Sequence, residues 1–256
     1  MAKLTLIGLG ISDEGSIPLS GIEALRSADK VFAEFYTSIL KEGSIRRLSG
    51  MIGKEIRILD RISLEDEELV INALDRYDHV CLLTAGDPLT ATTHQEIRWD
   101  AIEKGFEVEI IHSTSIFVAA AGISGLQHYK FGRTTTIPYP EGNYFPTSPL
   151  EMIRENRDRG LHTLVLLDIK ADESRYMTAS EGFDILLRME DKDGIGCLDE
   201  NTHGIAVLRA GRDDWDVHFG EIGRLKDMDM GPPPHCIIIP GKLHFMEEEI
   251  LKKFSI

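Results

Sequence analysis

The chain has 256 residues, 42% of them hydrophobic, which is enough for one large domain or two small ones with ordinary cores. Forty-three acidic residues against 28 basic give a formal charge of −15. That balance argues against a general nucleic-acid binder, which needs basic surface against phosphates, and favours small-molecule chemistry or a positively charged protein partner.

In chain order, Leu4 to Gly8 reads as a first strand, followed by Leu9-Gly10-Ile11. The two glycines permit a tight turn and close approach of a ligand to the backbone. A G-x-G-x-x-G fingerprint fails because position 13 is Asp, and Pro18 delays the next helix to about Ser20, so a nicotinamide enzyme loses its main support. A helix from Ser20 to Ala28 carries Ile22, Leu25 and Ala28 on one face, and Lys30 to Tyr36 reads as a second strand. Glu34 in it lacks the glycine motif that a ribose-binding acid requires, which favours a structural or substrate-side role. A short helix over Ser44 to Met51 and a strand over Ile56 to Leu59 follow. A helix from Ser63 then carries Glu65, Asp66, Glu67 and Glu68 in its first turns, where the helix dipole favours them.

The run Val80 to Leu83 reads as a buried parallel strand that stops at Gly86-Asp87-Pro88. Thr93 and Glu96 have capping-box spacing and open the next helix, to about Glu103. Ligands of open α/β sheets bind beyond the carboxyl ends of strands, where this loop sits. Asp87 between Gly and Pro is therefore a candidate ligand residue, although a structural turn uses the same residue types. Val108 to Ile111 is a strand, and His112-Ser113-Thr114-Ser115 leads into an apolar helix from Ile116 to Ala121. That junction is either a second ligand loop, facing the Asp87 loop, or a plain N-cap by Ser115.

The pattern changes after residue 122, and two α/β lobes are expected, residues 1–112 and 113–256. Gly132 to Tyr139 reads as a Thr-rich strand, and Ser148-Pro149-Leu150-Glu151 opens a helix with Ser148 as N-cap. His162 to Ile169 is a strand with Asp168 near its end, and Thr178 with Glu181 caps another helix. Gly204 to Ala210 is a strand, and the alternation over Trp215 to Phe219 fits an antiparallel one. Pro232-Pro233-Pro234-His235 stiffens the approach to the strand Cys236 to Ile239. Leu243, Met246, Ile250 and Phe254 give a final helix its apolar face.

No H-E-x-x-H, G-x-S-x-G or Walker motif occurs, and the histidines do not cluster at metal-ligand spacings. Cys81, Cys197 and Cys236 show no C-x-x-C spacing, so neither a disulfide framework nor a zinc site is expected; Cys81 and Cys236 lie in apolar runs as small buried hydrophobes. No basic-then-apolar signal stretch opens the chain and no apolar run approaches roughly 20 residues, so a cytoplasmic protein without a membrane span is expected.

Several segments resemble the diphthine synthase family. They are Ile7-Gly8-Leu9-Gly10, Phe32 to Ser38, Gly86-Asp87-Pro88 through Ala91-Thr92-Thr93-His94, Gly125 to Arg133, Gly160 to Lys170, and Pro233 to Phe245. The glycine pieces are shared with the wider tetrapyrrole methylase superfamily, whereas Ala33-Glu34-Phe35-Tyr36-Thr37-Ser38 and Ala91-Thr92-Thr93-His94 are more particular. The resemblance implies a two-lobed fold, a parallel-sheet N-terminal lobe and a mixed-sheet C-terminal lobe with a cofactor cleft between them. It implies an S-adenosylmethionine-dependent methyltransferase, working as a homodimer. The acceptor would be the amino group of a 3-amino-3-carboxypropyl-histidine on translation elongation factor 2, an intermediate in diphthamide biosynthesis. Implied cofactor contacts are Ile11, Asp87, Thr90, Ser115, Ile116, Leu167, Ala210 and His235, with Ile11 and Thr90 standing where the family often has Leu and Val. Methyl transfer from a sulfonium needs mainly positioning, and no residue qualifies as an obligatory base; Asp87 is cast as holding the cofactor's cationic end. Rival readings are a small-molecule methyltransferase acting on a tetrapyrrole, and a non-catalytic S-adenosylmethionine or nucleotide sensor.

Overall fold

The apolar runs of the N-terminal half are buried on both faces, which is why they are continuous rather than alternating. A computed structural model describes residues 1–65 and 68–256. It divides the chain into two compact units, Met1–Ile116 with Ala171–Glu173, and Phe117–Lys170 with Ser174–Ile256.

In the first unit β1 (Lys3–Gly8), α1 (Leu19–Ser27), β2 (Lys30–Glu34), α2 (Ser44–Ile52) and β3 (Arg57–Leu59) come first. They are followed by α3 (Arg61–Glu65), α4 (Leu69–Ala73), β4 (His79–Thr84), α5 (His94–Glu103) and β5 (Glu107–Ile111). The strands form a five-stranded sheet in the order β3-β2-β4-β1-β5, parallel throughout. Leu4, Leu6, Phe32, Val80 and Leu82 pack on one face, and Ile7, Val31, Ala33, Cys81 and Leu83 on the other. All the connections run so that the chain leaves β1, β4 and β5 at the same end of neighbouring strands, and that end carries the candidate site.

The second unit begins within α6 (Ile116–Ser124) and continues through β6 (Thr135–Ile137), α7 (Ser148–Asp158) and β7 (Thr163–Leu167). A small hairpin, β8 (Ile169–Lys170) and β9 (Arg175–Tyr176), precedes α8 (Ala179–Asp193). Then come β10 (His203–Leu208), β11 (Asp216–Glu221), α9 (Ile222–Leu225), β12 (His235–Ile239) and α10 (Phe245–Leu251). The sheet order is β11-β10-β12-β7-β6, with β6 parallel to β7 and the other pairs antiparallel. Phe183, Leu186 and Met189 of α8 and Leu150 and Ile153 of α7 fill its core against Val165, Ala206 and Ile237.

Four local expectations change. Thr93 occupies the N-cap of α5 without a side-chain capping bond; the hydroxyl of Thr92 accepts the His94 N–H at 3.4 Å instead. The α7 cap falls on Thr147, one residue before Ser148, and makes no side-chain bond, whereas Thr178 and Glu181 form the expected capping box on α8. The acidic helix expected from Ser63 is two short helices, with Glu68 at the N-cap of α4 in left-handed backbone; Asp66 and Glu67 lie outside the described residues. The final helix does not bury its apolar periodicity: Met246 and Ile250 are exposed, while Glu247 and Leu251 are buried. The cause is a set of donors around Glu247. Its carboxylate accepts the N–H groups of Gln127 and His244, Nε2–H of His162 and the Lys130 ammonium. Burial would raise this carboxyl, but those donors outweigh it and bring it down to about 2.

Candidate functional site at the strand ends

One group of the expected contact residues sits at a crossing of two loops of the first unit. Beyond β1 and β4, Gly10 and Gly86 bond each other in both directions, Gly86 N–H to Gly10 O at 2.7 Å and Gly10 N–H to Gly86 O at 3.1 Å. Both have positive φ, +74° and +80°. A Cβ on Gly8 would lie 2.6 Å from Gly86 O and 2.8 Å from Ser113 Cβ. The Gly-x-Gly pair is therefore required first by the chain's own loops, rather than by a ligand against the backbone. A Cβ on Gly86, in contrast, would meet no atom within 4 Å, so the turn presents an open notch there.

Asp87 closes this crossing from below. It is 7% exposed, and its Oδ1 accepts Leu89 N–H at 3.1 Å and the Thr90 hydroxyl at 3.0 Å. Its Oδ2 accepts from His112 Nδ1 at 2.7 Å and from Ser113 N–H at 3.4 Å. One carboxylate thus fixes its own turn and the loop after β5. Burial alone would raise its pKa, but the bonds from His112, Leu89 and Thr90 outweigh burial and hold the carboxyl below its ordinary range. Asp87 stays ionised at neutral pH with its acceptor sites occupied by the protein. The hydroxyl that distinguishes Thr90 from Val has a defined partner, Asp87 itself. Ile11, Ser115 and Ile116 are half-buried, Ile116 as the first residue of α6. Five of the expected contact residues, Ile11, Asp87, Thr90, Ser115 and Ile116, accordingly belong to the first unit, four of them on the loops that leave β1, β4 and β5 and Ile116 where the last of these enters α6.

The other three belong to one end of the mixed sheet. Leu208 pairs with His235, and Val165 with Ile237, so continuing the register sets Leu167 beside His235, with Ala210 just past the end of β10. Leu167 and Ala210 are 8% and 6% exposed. His235 Nδ1 accepts the Ala179 N–H at 3.2 Å, and its Nε2 lies 3.0 Å from Pro232 O. A carbonyl can only accept, so Nε2 carries the proton and the ring is neutral. Burial, reinforced by the Arg209 guanidinium, pushes the imidazole down to about 4. Arg209, in left-handed backbone with φ of +49°, donates to the carbonyls of Met230 and Pro232 and pairs with Asp214. It fastens the proline run that sets the start of β12.

His112 and Ser113, which together hold Oδ2 of Asp87, were not among the expected contacts. Their adjacency to the Ser/Thr-rich turn was visible in sequence, but their partner, 25 residues away, was not. Asp168 likewise holds local structure, with its Oδ2 accepting Tyr139 N–H at 2.8 Å and its Oδ1 accepting Ile169 N–H at 2.9 Å. Among the described residues no group of His, Cys, Asp and Glu is arranged to hold a metal ion, and no helix is long and apolar enough to cross a membrane.

Comparison with known proteins agrees with this architecture. The family model described as tetrapyrrole (corrin/porphyrin) methylases matches residues 3–225. The diphthine synthase of Methanococcus aeolicus is 47% identical over 251 residues, covering 97% of this chain and 96% of the relative. That of Methanocaldococcus jannaschii is 46% identical over 253 residues, covering 97% of each. A solved diphthine synthase structure superposes with a TM-score of 0.89 at 34% identity, covering 99% of this chain and 96% of that one. With strand-end loops of this geometry and identity of this extent along the chain, the protein belongs to the diphthine synthase family of the tetrapyrrole methylases.

Proposed function

We propose that this chain is an S-adenosylmethionine-dependent methyltransferase of diphthamide biosynthesis, methylating the amino group of the 3-amino-3-carboxypropyl-histidine intermediate on translation elongation factor 2. The observation that carries the reading is the 47% identity to a diphthine synthase along 97% of the chain. The proposed cofactor contacts are Ile11, Asp87, Thr90, Ser115 and Ile116 at one set of strand ends, and Leu167, Ala210 and His235 at the other. The residues fit a cationic cofactor. The turn leaves open space at Gly86, Asp87 stays ionised beside it, and His235 brings no positive charge.

When bound, S-adenosylmethionine supplies a methyl group on a cationic sulfur for in-line attack by an unprotonated amine. The chain's own residues bind and orient. Asp87 organises the turn through four protein donors, so its action on the cofactor is through the shape and negative potential of that turn. Leu167 and Ala210 offer apolar, close-packed strand ends, and the neutral ring of His235 holds the start of α8 through Ala179 N–H. Asp87, the one carboxylate among the proposed contacts, has its acceptor sites occupied and its pKa held down, which favours loss of the amine proton to water.

A homodimeric, cytoplasmic enzyme comes with the same family reading. The division into lobes 1–112 and 113–256 is supported by the strands, since β1 to β5 fall wholly in the first range and β6 to β12 in the second. The test is direct. The protein is incubated with methyl-labelled S-adenosylmethionine and elongation factor 2 carrying the unmethylated intermediate, and the modified histidine is analysed by mass spectrometry. Added methyl groups are expected; a protein that binds the cofactor and transfers nothing would be a sensor.

A further inference from the structure

Two fully buried polar side chains lie under the Asp87 turn, Glu34 and His94, each 0% exposed. Glu34 ends β2 and stands in register with Thr84, which ends β4. Its carboxylate accepts Tyr36 N–H at 3.1 Å, Thr37 N–H at 3.2 Å and the Thr37 hydroxyl at 2.7 Å, so it holds the chain as it leaves β2. His94 is the first residue of α5. Its Nδ1 lies 3.1 Å from Pro88 O and 3.2 Å from Thr84 Oγ1, and its Nε2 lies 3.7 Å from Glu34 Oε1. Because a carbonyl only accepts, Nδ1 carries a proton and donates to Pro88. Proline has no N–H, so its carbonyl is the one backbone group by which the residue after Asp87 can be held.

We propose that His94 is a positioning residue: through the Pro88 carbonyl it sets the Asp87 turn, with the other edge of its ring packed beside the buried Glu34 carboxylate. The ring is rigid and enclosed, and it spans the two loops at the ends of neighbouring strands. His94 touches no substrate; it acts through Pro88 and Asp87. The inference rests on the reading that this turn helps to hold S-adenosylmethionine.

The two ring nitrogens can be tested separately. An Asn amide nitrogen falls near the position of Nδ1, and a Gln amide nitrogen near Nε2, so His94→Asn keeps the donor to Pro88 whereas His94→Gln loses it and places its amide beside Glu34. Both remove the ring from the same enclosed site, and Asn, the smaller, leaves the larger cavity, so loss of packing alone would make His94→Asn the worse of the two. Two quantities are measured on the full chain: amide hydrogen exchange of Leu89 and Thr90 without ligand, and S-adenosylmethionine affinity by calorimetry. His94→Gln is expected to speed exchange of these amides and weaken binding by about tenfold, the worth of one buried hydrogen bond, while His94→Asn stays within about threefold of the wild type. Equal effects of the two substitutions, or the reverse order, would overturn the proposal. If the exchange contrast holds but the wild-type protein binds no S-adenosylmethionine, the positioning link stands and the proposed function falls. If the wild type binds and the two variants behave alike, the link falls and the function stands.

Discussion

Removing the Asp87 carboxylate separates two roles that its location alone allows. If it only gripped the cofactor's amine, Asp87→Ala would weaken binding and leave the ligand-free protein as stable as before, or more so, because a buried charge would be gone. The structure gives it four protein donors instead. Two of these, His112 and the Thr90 hydroxyl, reach solvent and can be rehydrated; His112 has 67% of its side chain exposed. The N–H groups of Leu89 and Ser113 are the ones left poorly satisfied. At about 1–2 kcal/mol each the loss comes to about 3 kcal/mol. For a chain of this size that is a fall in Tm of roughly 6–12 °C. Asp87→Asn keeps one acceptor oxygen and turns an NH2 toward the donors at the other, so about half the loss is expected. Thermal and urea unfolding without ligand, followed by calorimetry with S-adenosylmethionine, give both quantities. A ligand-free Asp87→Ala protein melting within about 1 °C of the wild type would refute this account, whatever happened to binding.

Other consequences are as definite. His235 is neutral in the fold with its pKa at about 4, against 6.5 ordinarily, so the unfolded chain binds more protons between those values and stability must fall as pH drops from 6.5 toward 4, by about 3 kcal/mol at the limit; urea midpoints across this window should flatten in His235→Gln. Glu247 has the opposite chemistry and the same sign: its folded carboxyl, at about 2, contributes fully above 4.5 and loses its contribution as pH falls toward 2. At neutral pH Glu247→Ala strands the Lys130 ammonium and backbone donors and should cost about 3–5 kcal/mol in the same assay. Gly8→Ala forces a methyl to 2.6 Å from Gly86 O and should destabilise the protein, whereas Gly50→Ala, inside α2 with open space around it, should stabilise it by about 0.5–1 kcal/mol; calorimetric melting distinguishes them. If the −15 charge steers a basic acceptor loop, kcat/KM for elongation factor 2 should fall steeply with ionic strength, and a salt-insensitive rate would count against steering.

How much of this was legible beforehand depended on the range of each interaction. The doubly buried strands declared themselves because both faces are apolar, and β1, β4 and β12 begin and end within a residue or two of where the sequence puts them. Turn chemistry was equally local: Gly86, Asp87 and Pro88 could only be a break at a strand end. What stayed hidden was the pairing of polar groups across distance. His112 and Asp87 are 25 residues apart, and Lys130 and Glu247 are 117 apart. No periodicity signals such a pair, and the second misled outright. By drawing Glu247 inward it rotates α10, leaving exposed the Met246 and Ile250 that spacing assigned to the core. The Thr93 cap failed for a related reason, since the neighbouring Thr92 hydroxyl takes the His94 N–H while donating to Pro88 O at 3.2 Å.

Three buried carboxylates, Glu34, Asp87 and Glu247, share one mode of use. Each accepts bonds from several groups; Glu34 fixes the chain as it leaves β2, whereas Asp87 and Glu247 each hold two or more separate segments against one another for a single desolvation cost. Two of them stand at the carboxyl ends of β2 and β4, where the proposed cofactor turn is built. This bears on the chemistry. A general base needs an available lone pair and a pKa near the working pH, and Asp87 has neither, because its oxygens are occupied and its pKa is pushed down. The negative charge nearest the turn therefore acts through geometry and potential, which is the contribution that in-line methyl transfer needs most. Substitutions at Asp87 should accordingly lower affinity and rate together and leave the pH profile of the remaining activity where it was, whereas loss of a catalytic base would shift its acidic limb.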